Sequence, residues 1–245
     1  MLILAFETSA KAASVALLEG KILLGESYQN TGLTHSQTLL VMAEDLLKQC
    51  GKNVSDVTDV AVAAGPGSFT GVRIGVAAAK GFAWGRDLPC YGVSTLEAMA
   101  EGLGAWEGLV CPCMDARRSQ VYNALFYVNQ GRLERLREDR AISLEELKED
   151  LLGRNGPIFL VGDGAALTYD TLSREVPNLV KPPEHRLHQR AVGVARIAAR
   201  QIAAGAAGDG NALTPNYLRL SQAERERAER EAREPERTES LQADA

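Results

Sequence analysis

Histidine and cysteine are scarce in this chain, and no long apolar run or basic excess is present. Its 245 residues include only three His and four Cys. The histidines, His35, His185 and His188, stand alone or in a loop. His35 opens a helix whose next-turn positions are Thr38 and Leu39, neither of them a metal ligand. No Ser-His-Asp, Cys-His or zinc spacing is found, which argues against a peptidase and leaves no catalytic residue and no metal site to assign. Cys50, Cys90, Cys111 and Cys113 form no disulfide framework in a chain of this size. Cys111-Pro112-Cys113 lacks the second pair that zinc wants, so buried reduced thiols are expected. No stretch approaches the ~20 apolar residues that span a membrane, and the start lacks the pattern of a signal peptide. These features make the cytoplasm the expected compartment, with no membrane contact. A net charge of -5 argues against broad nucleic-acid binding by this chain alone and leaves a local basic patch open.

What is present centres on Gly65-Pro66-Gly67-Ser68-Phe69-Thr70-Gly71-Val72-Arg73-Ile74-Gly75. An apolar run over 59–64 enters it, and a small-residue helix over 70–84 leaves it. Pro66 fixes φ, and Gly65 and Gly67 permit angles closed to other residues, which predicts a tight strand-to-helix turn. Ser68 or Thr70 can cap that helix, and free amides at its start can hold an anion. Gly71, Gly75, Ala79 and Ala83 recur every fourth residue along one face. Each glycine inside a helix costs about 1 kcal/mol against alanine, so something must pack unusually close to this stripe. The candidates are the chain's own sheet or a helix of a partner.

The rest of the chain reads in order. Runs at 2–6 and 14–18, then 22–29, predict a three-strand antiparallel meander. Its first turn gathers Glu7, Thr8 and Ser9 beside the end of the first strand. Thr34 and Gln37 resemble a capping box for a helix to about Cys50. A short strand over 89–93 and a helix over 95–102 close the first half. A second meander over 109–142 follows, then a helix from Ser143, a strand over 158–161, a glycine turn and another helix. This echo predicts two lobes of one topology. The lobes are expected over 1–105 and 106–220, with a charged, disordered tail over 221–245.

These pieces resemble a known family. Ala5-Phe6-Glu7-Thr8-Ser9 with Ser14-Val15-Ala16-Leu17, then His35-Ser36-Gln37, then the central stretch with Lys80-Gly81, are similar to the TsaB (YeaZ) family. Ser94-Thr95-Leu96-Glu97, Asp115-Ala116-Arg117 with Val121-Tyr122, Gly162-Asp163-Gly164 and Pro215-Asn216-Tyr217-Leu218-Arg219 follow in the same order. The resemblance covers roughly residues 1 to 220.

It implies an α/β fold of the two-lobed actin, hexokinase and Hsp70 (ASKHA) type, each lobe a mixed sheet with flanking helices. It also implies a non-catalytic accessory subunit that pairs with the catalytic relative TsaD, joined by the ATPase TsaE, in making N6-threonylcarbamoyladenosine on tRNA. tRNA would be met through the complex, no cofactor is implied for this chain alone, and a nucleotide at the subunit interface or a homodimer of the free chain is allowed. The pairing face would carry His35, Ser36, Leu39, Leu40, Ala43 and Leu47 from one helix and Gly71, Arg73, Gly75 and Ala79 from the next. On that reading Gly75→Glu abolishes pairing and leaves the monomer folded. Glu7, Thr8, Ser9, Gly65, Gly67 and Ser68 are the expected anion or nucleotide contacts. They also motivate the alternative, an ATP-binding small-molecule kinase or ATPase of the same fold. Glu7 stands where the family has Asp, which sets a longer side chain at that position, and Arg118 replaces an apolar residue.

Overall fold

The computed structural model describes residues 1–219; the expected tail lies outside the described residues. Two five-stranded sheets share one topology. The first has order β3-β2-β1-β4-β5, formed by β1 (Leu2–Glu7), β2 (Ala13–Glu19), β3 (Ile22–Gln29), β4 (Asp59–Gly65) and β5 (Cys90–Ser94). The second is built from β6 (Gly108–Arg117), β7 (Gln120–Asn129), β8 (Arg132–Ser143), β9 (Ile158–Val161) and β10 (Leu179–Val180), in the order β10-β9-β6-β7-β8. Each is an antiparallel meander with two parallel strands added beside its first strand. The expected repeat is therefore present, and the fold is the two-lobed ASKHA type.

The helices arrange these sheets into layers. α1 (His35–Gln49) and α2 (Phe69–Trp84) cover one face of the first sheet, through Leu39, Met42, Leu46, Val72 and Val76 against Leu4, Phe6 and Val62. The other face, Ile3, Ala5, Ala16 and Ala61, is covered by α6 (Ala191–Ala203). β1 is buried on both faces, which is why it reads as an unbroken apolar run. α3 (Thr95–Glu101) is the wedge between lobes: Ala98 faces α6, while Leu96, Met99 and Ala100 pack on the second sheet. α4 (Leu144–Leu151) and α5 (Ala165–Leu172) cover that sheet's far side.

The lobes are thus not two consecutive stretches. The expected second lobe, 106–220, returns α6 to the first sheet, because the odd-numbered face of β1 has no other cover. Gly193 marks how closely it docks: a Cβ there would stand 2.1 Å from the Ala98 carbonyl oxygen. The capping signals fare unevenly. Of the two expected caps for α2 it is Ser68 that accepts an amide, from Gly71, and Ser94 and Ser143 likewise accept those of Glu97 and Glu146. Thr34 precedes α1 without a side-chain cap, the turn closing instead through the Gln37 amide on its carbonyl.

An ion network fastens α3 to β8. Arg135 donates to Glu97 at 2.8 Å and to Asp139 at 2.7 Å, and lies over the Phe126 ring. The Ser94 hydroxyl donates to the other Asp139 oxygen at 2.5 Å. Arg135→Ala leaves two half-buried carboxylates facing one another without their cation. It is expected to cost about 2–3 kcal/mol in urea unfolding, a part-buried pair broken from one side. An unchanged midpoint would show the carboxylates turning out to water instead.

Candidate functional site

Between the lobes lies a cleft of about 670 Å³. Its walls come from the β1–β2 turn, the turn before α2, the β6–β7 hairpin and the closing segment up to Arg219. Of the six expected anion contacts, Ser9, Gly67 and Ser68 line it, and Glu7, Thr8 and Gly65 do not. The glycine turn packs directly onto the β1–β2 turn. Ser68 gives its amide to the Ser9 carbonyl at 2.6 Å, and the Thr8 hydroxyl donates to the Gly71 carbonyl at 2.8 Å. A Cβ on Gly67 would stand 2.4 Å from the Ser9 carbonyl oxygen, so glycine is required for this approach.

Glu7 is fully buried. Its Oε1 accepts the Ser9 amide at 2.6 Å, while Oε2 has no partner among the described residues. Burial pushes its carboxyl up to about 7, against the opposing pull of the hydrogen bonds. A carboxyl so placed does not line the cleft. Among the described residues no group of three or more His, Cys, Asp or Glu could hold a metal ion. His35 is engaged locally, its Nε2 at 2.7 Å from the Ala10 carbonyl oxygen, which ties α1 to the β1–β2 turn.

The expected pairing residues divide into two sets. Leu39, Ala43, Leu47, Gly71, Gly75 and Ala79 are buried in their own lobe and cannot meet a partner. The small stripe answers to the sheet: a Cβ on Gly71 or Gly75 would stand 2.1 or 2.4 Å from Thr8 oxygens. Gly75→Glu would therefore disrupt the monomer itself, contrary to the expectation that it stays folded. Ser36, Leu40 and Arg73 are exposed, and His35 is partly so. Arg73 sits 3.9 Å over the Phe69 ring and donates to the Tyr217 hydroxyl at 2.7 Å. Phe69 and Tyr217 are stacked with centroids 4.5 Å apart.

Sequence reasoning named Leu40 and Arg73 but missed Val41, Ala77, Gly81 and Trp84 among what the outer helices expose. Leu40, Val41 and Trp84 are 54%, 56% and 84% exposed. The outward residues of α2 are Thr70, Arg73, Ala77, Gly81 and Trp84, with a single charge among them. Those of α4, by contrast, are Glu145, Glu146 and Glu149. A Cβ on Gly81 would meet nothing within 4 Å, so no contact among the described residues accounts for a glycine there. The signal was available as a second helical row, offset from the conspicuous one.

Comparison with known proteins places this geometry. The family model described as "TsaD: tRNA N6-adenosine threonylcarbamoyltransferase" matches residues 29–226. A Streptococcus sanguinis protein named tRNA N6-adenosine threonylcarbamoyltransferase is 33% identical, over 53% of this chain and only 43% of its own length. The tRNA threonylcarbamoyladenosine biosynthesis protein TsaB of Bacillus subtilis is also 33% identical, but over 91% of this chain and 96% of its own. The chain belongs to the TsaB family. Escherichia coli TsaB is 36% identical over 67% of this chain and 72% of its own length. The solved structure of YeaZ from Pseudomonas aeruginosa superposes with a TM-score of 0.76 at 27% identity, covering 89% of this chain and 99% of that one. Component A of (R)-2-hydroxyglutaryl-CoA dehydratase from Acidaminococcus fermentans, at 12% identity and a TM-score of 0.51, shares the fold alone.

Proposed function

We propose that this chain is a non-catalytic subunit of the machinery that makes threonylcarbamoyladenosine on tRNA, and that it pairs with the catalytic subunit TsaD. The setting follows from the names of its TsaB relatives. The observation that carries the pairing is the outer face of α1 and α2, which combines exposed Leu40, Val41 and Trp84 with the small residues Ala77 and Gly81. The outer row of α2, with one charge and a bare glycine, next to Leu40 and Val41 at the N-terminal half of α1, suits a second helix pair whose ridges can seat in the shallow groove, and Glu44, Asp45 and Lys48 farther along α1 add a charged margin. TsaE and tRNA then belong to the assembly, and a homodimer of the free chain would use the same face.

The kinase or ATPase reading is weaker, because Glu7 is enclosed and the Ser68 amide is taken. The test is co-elution with TsaD and threonylcarbamoyl transfer to tRNA in a reconstituted mixture. Transfer should need both chains, and this chain alone with the adenylate donor should give none. Gly81→Glu and Leu40→Glu should abolish co-elution without lowering the thermal midpoint, since neither position packs inside the lobe. Wild-type pairing by both variants, or turnover by this chain alone, would overturn the proposal.

A further inference from the structure

We propose that the β6–β7 hairpin tip and the adjoining rim of the interlobe cleft contact the phosphodiester backbone of RNA. This rests on the reading of the chain as part of a tRNA-modifying assembly. The tip is an unusual piece of backbone. Arg117, Arg118 and Ser119 stand consecutively at φ of 64, 56 and 55°, in the left-handed region that Gly and Asn occupy most readily. A two-residue hairpin turn of this kind is built most easily from Asn-Gly, and here Arg118-Ser119 takes the place. Backbone held in sparsely populated angles persists where its surroundings over-determine it.

The surroundings do so here. Asp163 accepts the Asp115 amide at 3.2 Å, and Asp115 accepts the Arg117 amide at 2.7 Å. From the closing segment, Arg219 donates to the Ala116 carbonyl at 2.5 Å. Both carboxylates in the cleft are thereby committed to the hairpin's backbone. Lys11 and Arg117 are exposed and line the cleft, Arg118 is exposed next to them, and Arg73 holds the opposite rim over Phe69. A chain of net charge -5 thus gathers five cations, Arg219 included, around two occupied carboxylates.

The distribution fits a strand of phosphates better than one nucleotide. A di- or triphosphate wants converging backbone amides. In this cleft the Ser68 amide goes to the Ser9 carbonyl and the Gly164 amide to the Cys113 carbonyl. The exposed cations Lys11, Arg117 and Arg118 are spread over two walls, the pattern that neutralises successive phosphates and makes binding salt-dependent.

The test is fluorescence anisotropy of a labelled tRNA transcript titrated with the full chain paired to its catalytic subunit, across a salt series. Lys11→Glu with Arg118→Glu should weaken binding at least ten-fold and flatten the logarithmic salt slope by about one per residue. Arg132→Glu, exposed at the far end of the same sheet, should change neither. Unchanged tRNA affinity in the double variant would overturn the proposal. So would saturable ATP binding that the double variant loses while its tRNA affinity is intact. Pairing is measured separately by co-elution: its absence in the wild type would overturn the assembly reading. An intact pair with unmoved tRNA affinity would overturn this inference alone.

Discussion

Gly71→Ala should destabilise the protein by about 2–3 kcal/mol, although alanine is the better helix former by about 1 kcal/mol. The new methyl would stand 2.1 Å from the Thr8 carbonyl oxygen, a backbone atom. Thr8 cannot easily retreat, because its hydroxyl donates to the Gly71 carbonyl and the neighbouring Ser9 carbonyl holds the Ser68 amide. Relief therefore requires α2 to rise off β1, opening the buried contacts of Val72 and Val76 with it. Gly81→Ala in the same helix has open space around it and should stabilise the free chain by up to about 1 kcal/mol. Urea midpoints of the two variants should move in opposite directions. A neutral Gly71→Ala would mean that the helix sits farther from the sheet than its glycines indicate.

Glu7→Gln should make the protein more stable in mildly alkaline solution and almost unchanged in acid. An acid whose folded pKa lies above its unfolded value holds its proton more tightly when folded. Its contribution is fully present below the ordinary value of 4.5 and is lost as the pH rises through about 7. For a fully buried carboxyl this amounts to about 3 kcal/mol between the two limits. Glutamine keeps the acceptor for the Ser9 amide and carries no charge to desolvate. Thermal or urea unfolding followed from about pH 4 to about pH 8 should show the wild type losing stability over this window and Glu7→Gln losing less. Equal slopes for the two proteins would indicate that Glu7 reaches water.

Much of this architecture was legible in the sequence. Apolar runs and turn residues located both meanders, and the Gly-Pro-Gly turn located α2. β10 escaped because two residues carry no period. The destination of α6 escaped for a different reason: its apolar face states that it packs, and only the uncovered odd face of β1 states where. The stripe Gly71, Gly75 and Ala79 could equally have served a sheet or a partner helix, since closeness is all that glycine spacing encodes. Thr8 decided between them. The cleft was legible only in fragments. Asp115-Ala116-Arg117 and Tyr217-Leu218-Arg219 are far apart in the chain, and their meeting depends on the fold as a whole.

The return of α6 to the first sheet has a consequence during synthesis. When residue 105 leaves the ribosome, every strand of the first sheet exists, yet Ile3, Ala5, Ala16 and Ala61 have little beyond Ala98 of α3 to lie against. Their cover is encoded about 100 residues later, roughly 5–20 s at ordinary elongation rates. During that interval the nascent chain carries an exposed apolar sheet face, a natural substrate for chaperones that bind emerging hydrophobic segments. That face of the first lobe is covered only when α6 and the segment after it emerge.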